Sequence, residues 1–276
     1  MLVAVLTKNE ELNIGACLDS AMVVGCDVCV VDSGSTDATV AIAEAKGARV
    51  EYHEFVSIAR QRNWVLEKLG GDYDWILFVD ADERISPALA RELAELEPPG
   101  VSGFHGYYVP RHFHFLGKRL RYGGLANNRV LRLLDPARSK VVEQTRTLEY
   151  AAVEGRVGEL SGPLLHENLK PFSDWIAKHN WYSTREAEDE VAGMGYKSEG
   201  VTENRMRSLL NALVLRRLPP ILRPFLLFGY SYFLRLGFLD GKVGFVYHFL
   251  HDFWYPLITA IKVEELRRRL DGGENA

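Results

Sequence analysis

Asp80-Ala81-Asp82-Glu83 follows directly on the apolar run Trp75-Ile76-Leu77-Phe78-Val79. Two carboxylates one residue apart suit a hard divalent cation that keeps positions open for phosphate oxygens. A short run so rich in bulky and β-branched side chains reads as a buried parallel strand. The acidic cluster then sits at the strand's carboxyl end, where open α/β sheets bind their ligands. An ordinary turn followed by a helix cap uses the same residue types. Two further clusters favour the ligand reading. Val28-Cys29-Val30-Val31 reads as another buried strand and leads into Asp32-Ser33-Gly34-Ser35-Thr36-Asp37-Ala38-Thr39. There Gly and Ser allow the backbone close to a ligand, while Thr36 or Asp37 can cap the next helix. Thr7-Lys8-Asn9-Glu10-Glu11 likewise follows the opening strand from Leu2 to Leu6. Three polar clusters at three strand ends imply one shared crevice.

The elements that must hold these clusters alternate. Strands are expected near residues 2–7, 27–32, 48–53 and 75–79, and helices near 10–22, 37–46, 57–69 and 86–96. That is the pattern of a parallel, doubly wound sheet, closed at Pro98-Pro99-Gly100. From 103 to about 166 the chain turns β-like and irregular, with candidate strands at Gly106–Val109 and Val130–Leu134 joined by the Gly-rich stretch Gly117 to Gly124. Helix signals resume at Pro171 and run to about Glu190.

The chain resembles the family 2 glycosyltransferases of GT-A fold, most closely the bacterial subgroup that builds lipopolysaccharide core and related surface glycans. The residues that carry the resemblance are Thr7 to Ile14, Val31 to Asp37, Gln61-Arg62-Asn63 and Asp80 to Glu83, in that order. It continues through Gly117 to Gly124, Leu160 to His166 and Asp240-Gly241, so it covers nearly the whole chain.

The resemblance implies an α/β, Rossmann-like GT-A fold and inverting transfer of a hexose from a nucleotide-diphosphate sugar, with UDP-sugar the expected donor. The acceptor would be a lipid-linked glycan such as lipopolysaccharide core or a polyprenyl-diphosphate oligosaccharide. It places Thr7, Asn9, Glu10, Asp32, Ser33, Arg62, Asp80 and Ala81 around the donor, with Asp32 accepting hydrogen bonds from the base or ribose. Asp82 becomes the leading ligand for Mg²⁺ or Mn²⁺, with Asp80 shared between metal and ribose. His166 is a metal ligand or diphosphate contact, or else a satisfied core histidine. Subgroup members carry a His-Glu pair shortly before a Gly-rich turn; counting back from Gly155 places the general base on Glu149, with Glu143 in reserve. Leu148 stands where the family has His, so the base assignment stays open between the two. Glu10 and Glu11 could instead serve a helix amino terminus, and Asp37 reads as a cap. His112 and His114, one apart on a likely strand, and the basic run Arg111, Lys118, Arg119 and Arg121 could meet a phosphorylated acceptor or simply be solvated.

The net charge of −4 over 276 residues conceals an asymmetry, since residues 201–276 carry 11 Lys/Arg against 7 Asp/Glu and the first 200 carry 22 against 30. A basic, aromatic-rich tail on an acidic body points to anionic membrane lipid rather than nucleic acid. Met206, Leu209, Leu210, Leu213 and Val214 have helical spacing beside Arg205, Arg207, Arg216 and Arg217. Two further apolar runs, Pro224 to Leu234 and Val243 to His251, fall short of the ~20 residues that span a bilayer. Helices lying in a membrane interface, packing on the catalytic domain, or both, are the expectations. The expected division is a catalytic domain over 1–200, split at about residue 100 into nucleotide and acceptor halves, and a membrane-associating extension over 201–276. Cys17, Cys26 and Cys29 read as buried structural thiols. No secretory signal is recognisable, which suggests a cytoplasmic enzyme, peripheral on the inner face of the cell membrane.

Two other readings use the same residues. A haloacid-dehalogenase-type phosphatase also carries Asp-x-Asp after a strand, but places it near the amino terminus and leaves the Asp32 cluster without a role. A catalytically degenerate membrane-bound partner of another transferase would explain Leu148, but not the intact Asp32, Asp80 and Asp82.

Overall fold

The computed structural model describes residues 1–126, 128–143, 149–193 and 218–273. They cluster into two compact units, one holding Met1–Arg119, Asn127–Glu143 and Glu149–Lys170, the other Leu120–Ala126 and the chain from Pro171 onward. The boundary expected near residue 200 falls outside the described residues. The helix Phe172–Val191, expected within the catalytic domain, groups with the second unit.

In the first unit, β1 (Leu2–Thr7), β2 (Asp27–Asp32), β3 (Arg49–Tyr52) and β4 (Ile76–Asp80) are parallel and ordered β3-β2-β1-β4. Between them run α1 (Ile14–Met22), α2 (Thr39–Ala45) and α3 (Ile58–Lys68). All four strands begin and end within one residue of expectation; β1, β2 and β4 are apolar runs buried on both faces, whereas β3 is a partly exposed edge strand that alternates polar and apolar residues. Val3, Val5, Val30, Leu77 and Val79 pack towards α1 on one side; Leu2, Ala4, Val31, Ile76 and Phe78 pack with Val65 and Leu66 of α3 on the other.

The sheet then changes character. β5 (Glu83–Ile85) follows β4 at once and is succeeded by α4 (Pro87–Ala94) and the single turn α5 (Pro99–Ser102). The long strand β6 (Gly106–Phe115) and β8 (Arg129–Leu134) are antiparallel, with β8 seated between β4 and β6; the short β7 (Lys118–Arg119) folds back on β6. A separate hairpin pairs β9 (Ser139–Glu143) with β10 (Glu149–Val153). β11 (Val157–Glu159) and β12 (Leu164–His166) add to β6 in parallel, and β12 also pairs β5. Parallel in its first half and mixed in its second, this is the GT-A arrangement with a helical C-terminal region. All three cysteines are free thiols, with Cys17 and Cys29 buried and Cys26 half-buried; burial pushes the Cys29 thiol up to about 11.

The second unit is helical. α6 (Phe172–Val191) lies along the terminal helix Tyr255–Gly273, where Lys262 Nζ donates to Asn180, Ser183 and Thr184 of α6, each bond 2.8 Å. The two apolar tail runs become helices, Arg223–Phe228 and Gly241–His248, each continuing into a π-helical turn, Gly229–Leu234 and Phe249–Trp254. Buried His248 bonds Asp252 (Nδ1–Oδ2 2.7 Å), and its ring fills the space in front of Gly123, where a Cβ would lie 2.0 Å away. Among the described residues no helix is long and apolar enough to cross a membrane. The amphipathic segment 206–214 and its four arginines lie outside the described residues.

Candidate active site

Strand register brings the sequence clusters to one edge. Thr7 pairs with Asp32 and Leu6 with Asp80, so the loops after β1, β2 and β4 leave the sheet side by side. This is the carboxyl edge at which the strand order reverses around β1, the usual ligand crevice of such sheets.

The β2 loop folds onto its own aspartate. Asp32 Oδ2 accepts from the Gly34 and Ser35 amides (both 2.8 Å), and Oδ1 accepts from the Ser35 hydroxyl. Gly34 sits at φ +83, a conformation that favours glycine. Ser33 donates its amide to Thr7 O (3.0 Å) and accepts at Oγ from Gln61 Nε2 (2.6 Å), while the Thr7 hydroxyl is buried with no partner. Asn9, itself left-handed at φ +53, accepts at Oδ1 from the Thr36 amide (2.8 Å) and donates its amide to Ser35 Oγ (2.8 Å). Asp37 caps Thr39 (N–Oδ1 3.0 Å); burial opposes its charge, but the Thr39 hydroxyl and amide outweigh that and hold it below the usual carboxylate range. Glu11 accepts from the Ala38 amide (3.1 Å) at the start of α2, a helix-terminus role.

Around Asp80 the structure gathers charge of both signs. Arg132 donates to both oxygens of Asp80 (Nη1–Oδ1 3.1 Å, Nη2–Oδ2 2.6 Å), and Arg62 reaches Oδ1 at 3.4 Å. Arg62 also donates to Glu149 Oε1 at 2.9 Å. Fully buried Glu83 accepts the Asp80 amide (3.0 Å) and lies 3.7 Å from Arg111 and 4.0 Å from Arg132. Burial alone would push the Asp80 carboxyl up, yet Arg132 and then Arg62 hold it well below the usual range. Burial lowers the Arg132 pKa, but Asp80 and Glu83 more than reverse that and push it up. Burial and the charge of Arg132 push Arg62 down.

Asp82 has different company. Its Oδ2 lies 3.3 Å from His166 Nε2 and accepts from Asn168 Nδ2 at 3.3 Å. The His166 ring stacks on Phe113 (centroids 4.7 Å apart), and its Nδ1 is buried without a partner. Asn168 accepts from Asn13 Nδ2 (3.2 Å), Asn13 donates to Glu10 Oε2 (2.7 Å), and Glu10 Oε1 accepts from Lys170 Nζ (2.6 Å). Segment 166–170 therefore ties Asp82 to the β1 loop.

Among the described residues no three His, Cys, Asp or Glu side chains gather as a metal cluster. Asp82 Oδ2 and His166 Nε2, 3.3 Å apart, are nonetheless a carboxylate and an imidazole nitrogen of the kinds that bind divalent ions. Asp80, expected to be shared between metal and ribose, has both oxygens engaged by arginine. The two candidate bases face each other: Glu149 is the strand partner of Glu143, with Glu149 held by Arg62 and Glu143 by Ser57 (Oγ–Oε2 2.9 Å). Leu148 lies outside the described residues. His114 pairs with Arg119 in the strand register, and Arg111 turns to Glu83.

Sequence reasoning gave Arg132, Asn168 and Lys170 no place in the site, and Glu83 and Asn13 no role beyond their place in the Asp80–Glu83 and Thr7–Ile14 motifs. Arg132 did leave a signal: a lone charge inside Val130-Leu131-Arg132-Leu133-Leu134, where a buried strand needs any charge to have a partner.

The model of the family described as "Glycosyl transferase family 2" matches residues 2–142. "Lipopolysaccharide core biosynthesis glycosyltransferase LpsC" of Rhizobium meliloti (strain 1021) is 28% identical over 264 residues, covering 89% of this chain and 88% of that protein. "Uncharacterized glycosyltransferase RT0209" of Rickettsia typhi is 24% identical over 249 residues, covering 87% and 80%. Among solved structures, residues 1–349 of S. aureus TarS give a TM-score of 0.45 at 16% identity, covering 97% of this chain and 91% of that one. Glucosyl-3-phosphoglycerate synthase from Mycobacterium tuberculosis, in complex with Mn²⁺, uridine-diphosphate and glucosyl-3-phosphoglycerate, gives 0.41 at 17% identity, covering 72% and 81%.

Proposed function

The chain belongs to glycosyl transferase family 2, and from that premise we propose that it moves a hexose from a nucleotide-diphosphate sugar, UDP-sugar first among them, to a lipid-linked glycan. Lipopolysaccharide core is the favoured acceptor class, on the likeness to a relative named for lipopolysaccharide core biosynthesis; a polyprenyl-diphosphate oligosaccharide has the same amphiphilic chemistry. What supports the reading is the meeting of the β1, β2 and β4 loops at one sheet edge, with Asp82 and His166 3.3 Å apart beside them.

In this reading the Asp32 loop, Thr7 and Glu10 receive the nucleoside, and Arg62 meets the diphosphate. Asp82 and His166 hold Mg²⁺ or Mn²⁺, which when bound supplies electrostatic stabilisation to the departing diphosphate. Glu149 takes the proton from the acceptor hydroxyl, which attacks the anomeric carbon opposite the leaving group and inverts it. Glu143, one ladder partner away, is the alternative base.

The second unit supplies the place of work, the cytoplasmic face of the inner membrane. Ile221, Phe225, Phe233, Leu234 and Phe238 are all exposed, large apolar side chains within one stretch of 18 residues that support a docking surface. Interfacial docking would cover it without a spanning helix.

The test is UDP, GDP or dTDP release by purified protein from a panel of nucleotide hexoses, with and without lipid-linked acceptor. Acceptor-dependent release from one donor, abolished by EDTA, is expected. No release from any donor, with the fold intact, would leave the degenerate-partner reading standing.

A further inference from the structure

Arg132 and Arg62 serve one carboxylate unequally. Arg132 engages both Asp80 oxygens at 3.1 and 2.6 Å, whereas Arg62 is 3.4 Å from Asp80 and keeps its shorter bond, 2.9 Å, for Glu149. Arg132 also faces Glu83 at 4.0 Å, and Glu83 in turn accepts the Asp80 amide at 3.0 Å. The Asp80–Glu83 turn is thus closed on itself, with one guanidinium against the carboxylates at both of its ends. Asp82 is carried inside that turn.

We propose that Arg132 is a positioning residue for sugar transfer. It clamps Asp80, fixes the turn that presents Asp82, and leaves Arg62 to hold Glu149. This rests on the glycosyltransferase reading above. Without Arg132, the arginines that remain beside Asp80 and Glu83 among the described residues are Arg62 and Arg111, and Asp80, deprived of its two-bond partner, competes with Glu149 for Arg62. Donor and acceptor sides are then disturbed together. Lysine in its place supplies a point charge without the planar fork, so it restores the attraction but not the two-bond geometry. No motif marks Arg132; its role comes from β8 lying next to β4.

The experiment compares Arg132→Met, Arg132→Lys, Asp80→Asn and the double variant Asp80→Asn/Arg132→Met. UDP binding is measured by calorimetry with Mn²⁺ present, alongside steady-state transfer and thermal melts. Arg132→Met is expected to weaken UDP binding about tenfold and to lower kcat by roughly 10²-fold, the scale of a misplaced reacting group. Arg132→Lys should fall between it and wild type. The double variant should be no worse than Asp80→Asn alone, because the arginine acts through that carboxylate. Wild-type UDP affinity and kcat in Arg132→Met overturn the proposal, as does a loss that adds in full to that of Asp80→Asn. Should Arg132→Met fail to fold, wild-type affinity and turnover in Arg132→Lys overturn it equally. A wild-type protein that binds none of UDP, GDP or dTDP overturns the donor reading itself, and the proposal with it.

Discussion

At the carboxyl edge of the parallel strands, Glu83, Arg132 and Asp82 are 0%, 6% and 7% exposed, while in the C-terminal unit Phe225, Phe233 and Leu234 are 57%, 58% and 75% exposed. Each region inverts the usual arrangement of charge outside and hydrocarbon inside. Buried charge is costly unless paired, and the first region answers with interlocked ion pairs. Exposed hydrocarbon costs roughly 25 cal/mol per Å² left in water, and among the described residues of the C-terminal unit these side chains stay exposed. One region is closed by its own partners, whereas the other, on the reading proposed above, would be completed by an apolar phase.

Breaking the first region should have the largest effect. Asp82→Asn is expected to lower kcat by about 10²–10³-fold, the range seen when a principal electrostatic stabiliser is removed, with an unchanged melting temperature. Near-normal turnover would remove Asp82 from the metal assignment, and EDTA-insensitive turnover would remove the metal. Next, Glu149→Gln should cost on the order of 10²-fold in kcat with donor affinity nearly intact, since a base acts on the acceptor. A silent Glu149→Gln beside a dead Glu143→Gln would move the base across the hairpin.

The second region is tested on liposomes. Phe225→Ser with Phe233→Ser should weaken binding to anionic vesicles about tenfold per site, by the burial energy of an aromatic side chain, and added salt should not alter that loss. Exchanging Arg205, Arg207, Arg216 and Arg217 for Glu should cost up to ~1 kcal/mol each, a loss that shrinks as salt screens the surface. Wild-type protein that ignores vesicles would end the interfacial reading and leave the exposed phenylalanines for a protein partner.

The smallest effect is on stability. Burial, with help from His251 and Lys178, pushes His179 from its ordinary 6.5 down to about 4. Between those values the ring is neutral in the fold and protonated in the unfolded chain, which therefore binds more protons. Stability is kept above pH 6.5 and lost as pH falls towards 4. His179→Gln should flatten the melting temperature against pH over that window, and an unchanged slope would show that carboxylates alone set it.

The two regions also differ in how far their sequence spoke for them. β1, β2 and β4 were legible to within a residue because each is an apolar run ended by polar residues, a pattern that depends on nothing distant, and β3 because Arg49-Val50-Glu51-Tyr52 alternates as an edge strand does. Asp32, Asp80 and Asp82 were legible for the same reason, as the first charges after such runs. Which partners they would meet was not. Asp80 finds Arg132 after 52 residues and Glu10 finds Lys170 after 160, pairings set by β8 lying beside β4 and by the segment beyond β12. β5 was absorbed into the acidic cluster, since a three-residue strand is defined only by a partner eighty residues away. In the tail, apolar content was readable but the π-helical turns were not, because a run that is apolar on every side gives no period from which to read the winding.

The facing of Glu143 and Glu149 bears on the register of the hairpin that carries them. The two carboxylates are fastened to opposite ends of one stretch of α3, Glu143 to its capping Ser57 and Glu149 to Arg62. A slip of one residue within the hairpin itself would turn one carboxylate away from the face that the other keeps. Residues 143 and 149 are therefore fixed seams, each held by α3 independently of the other.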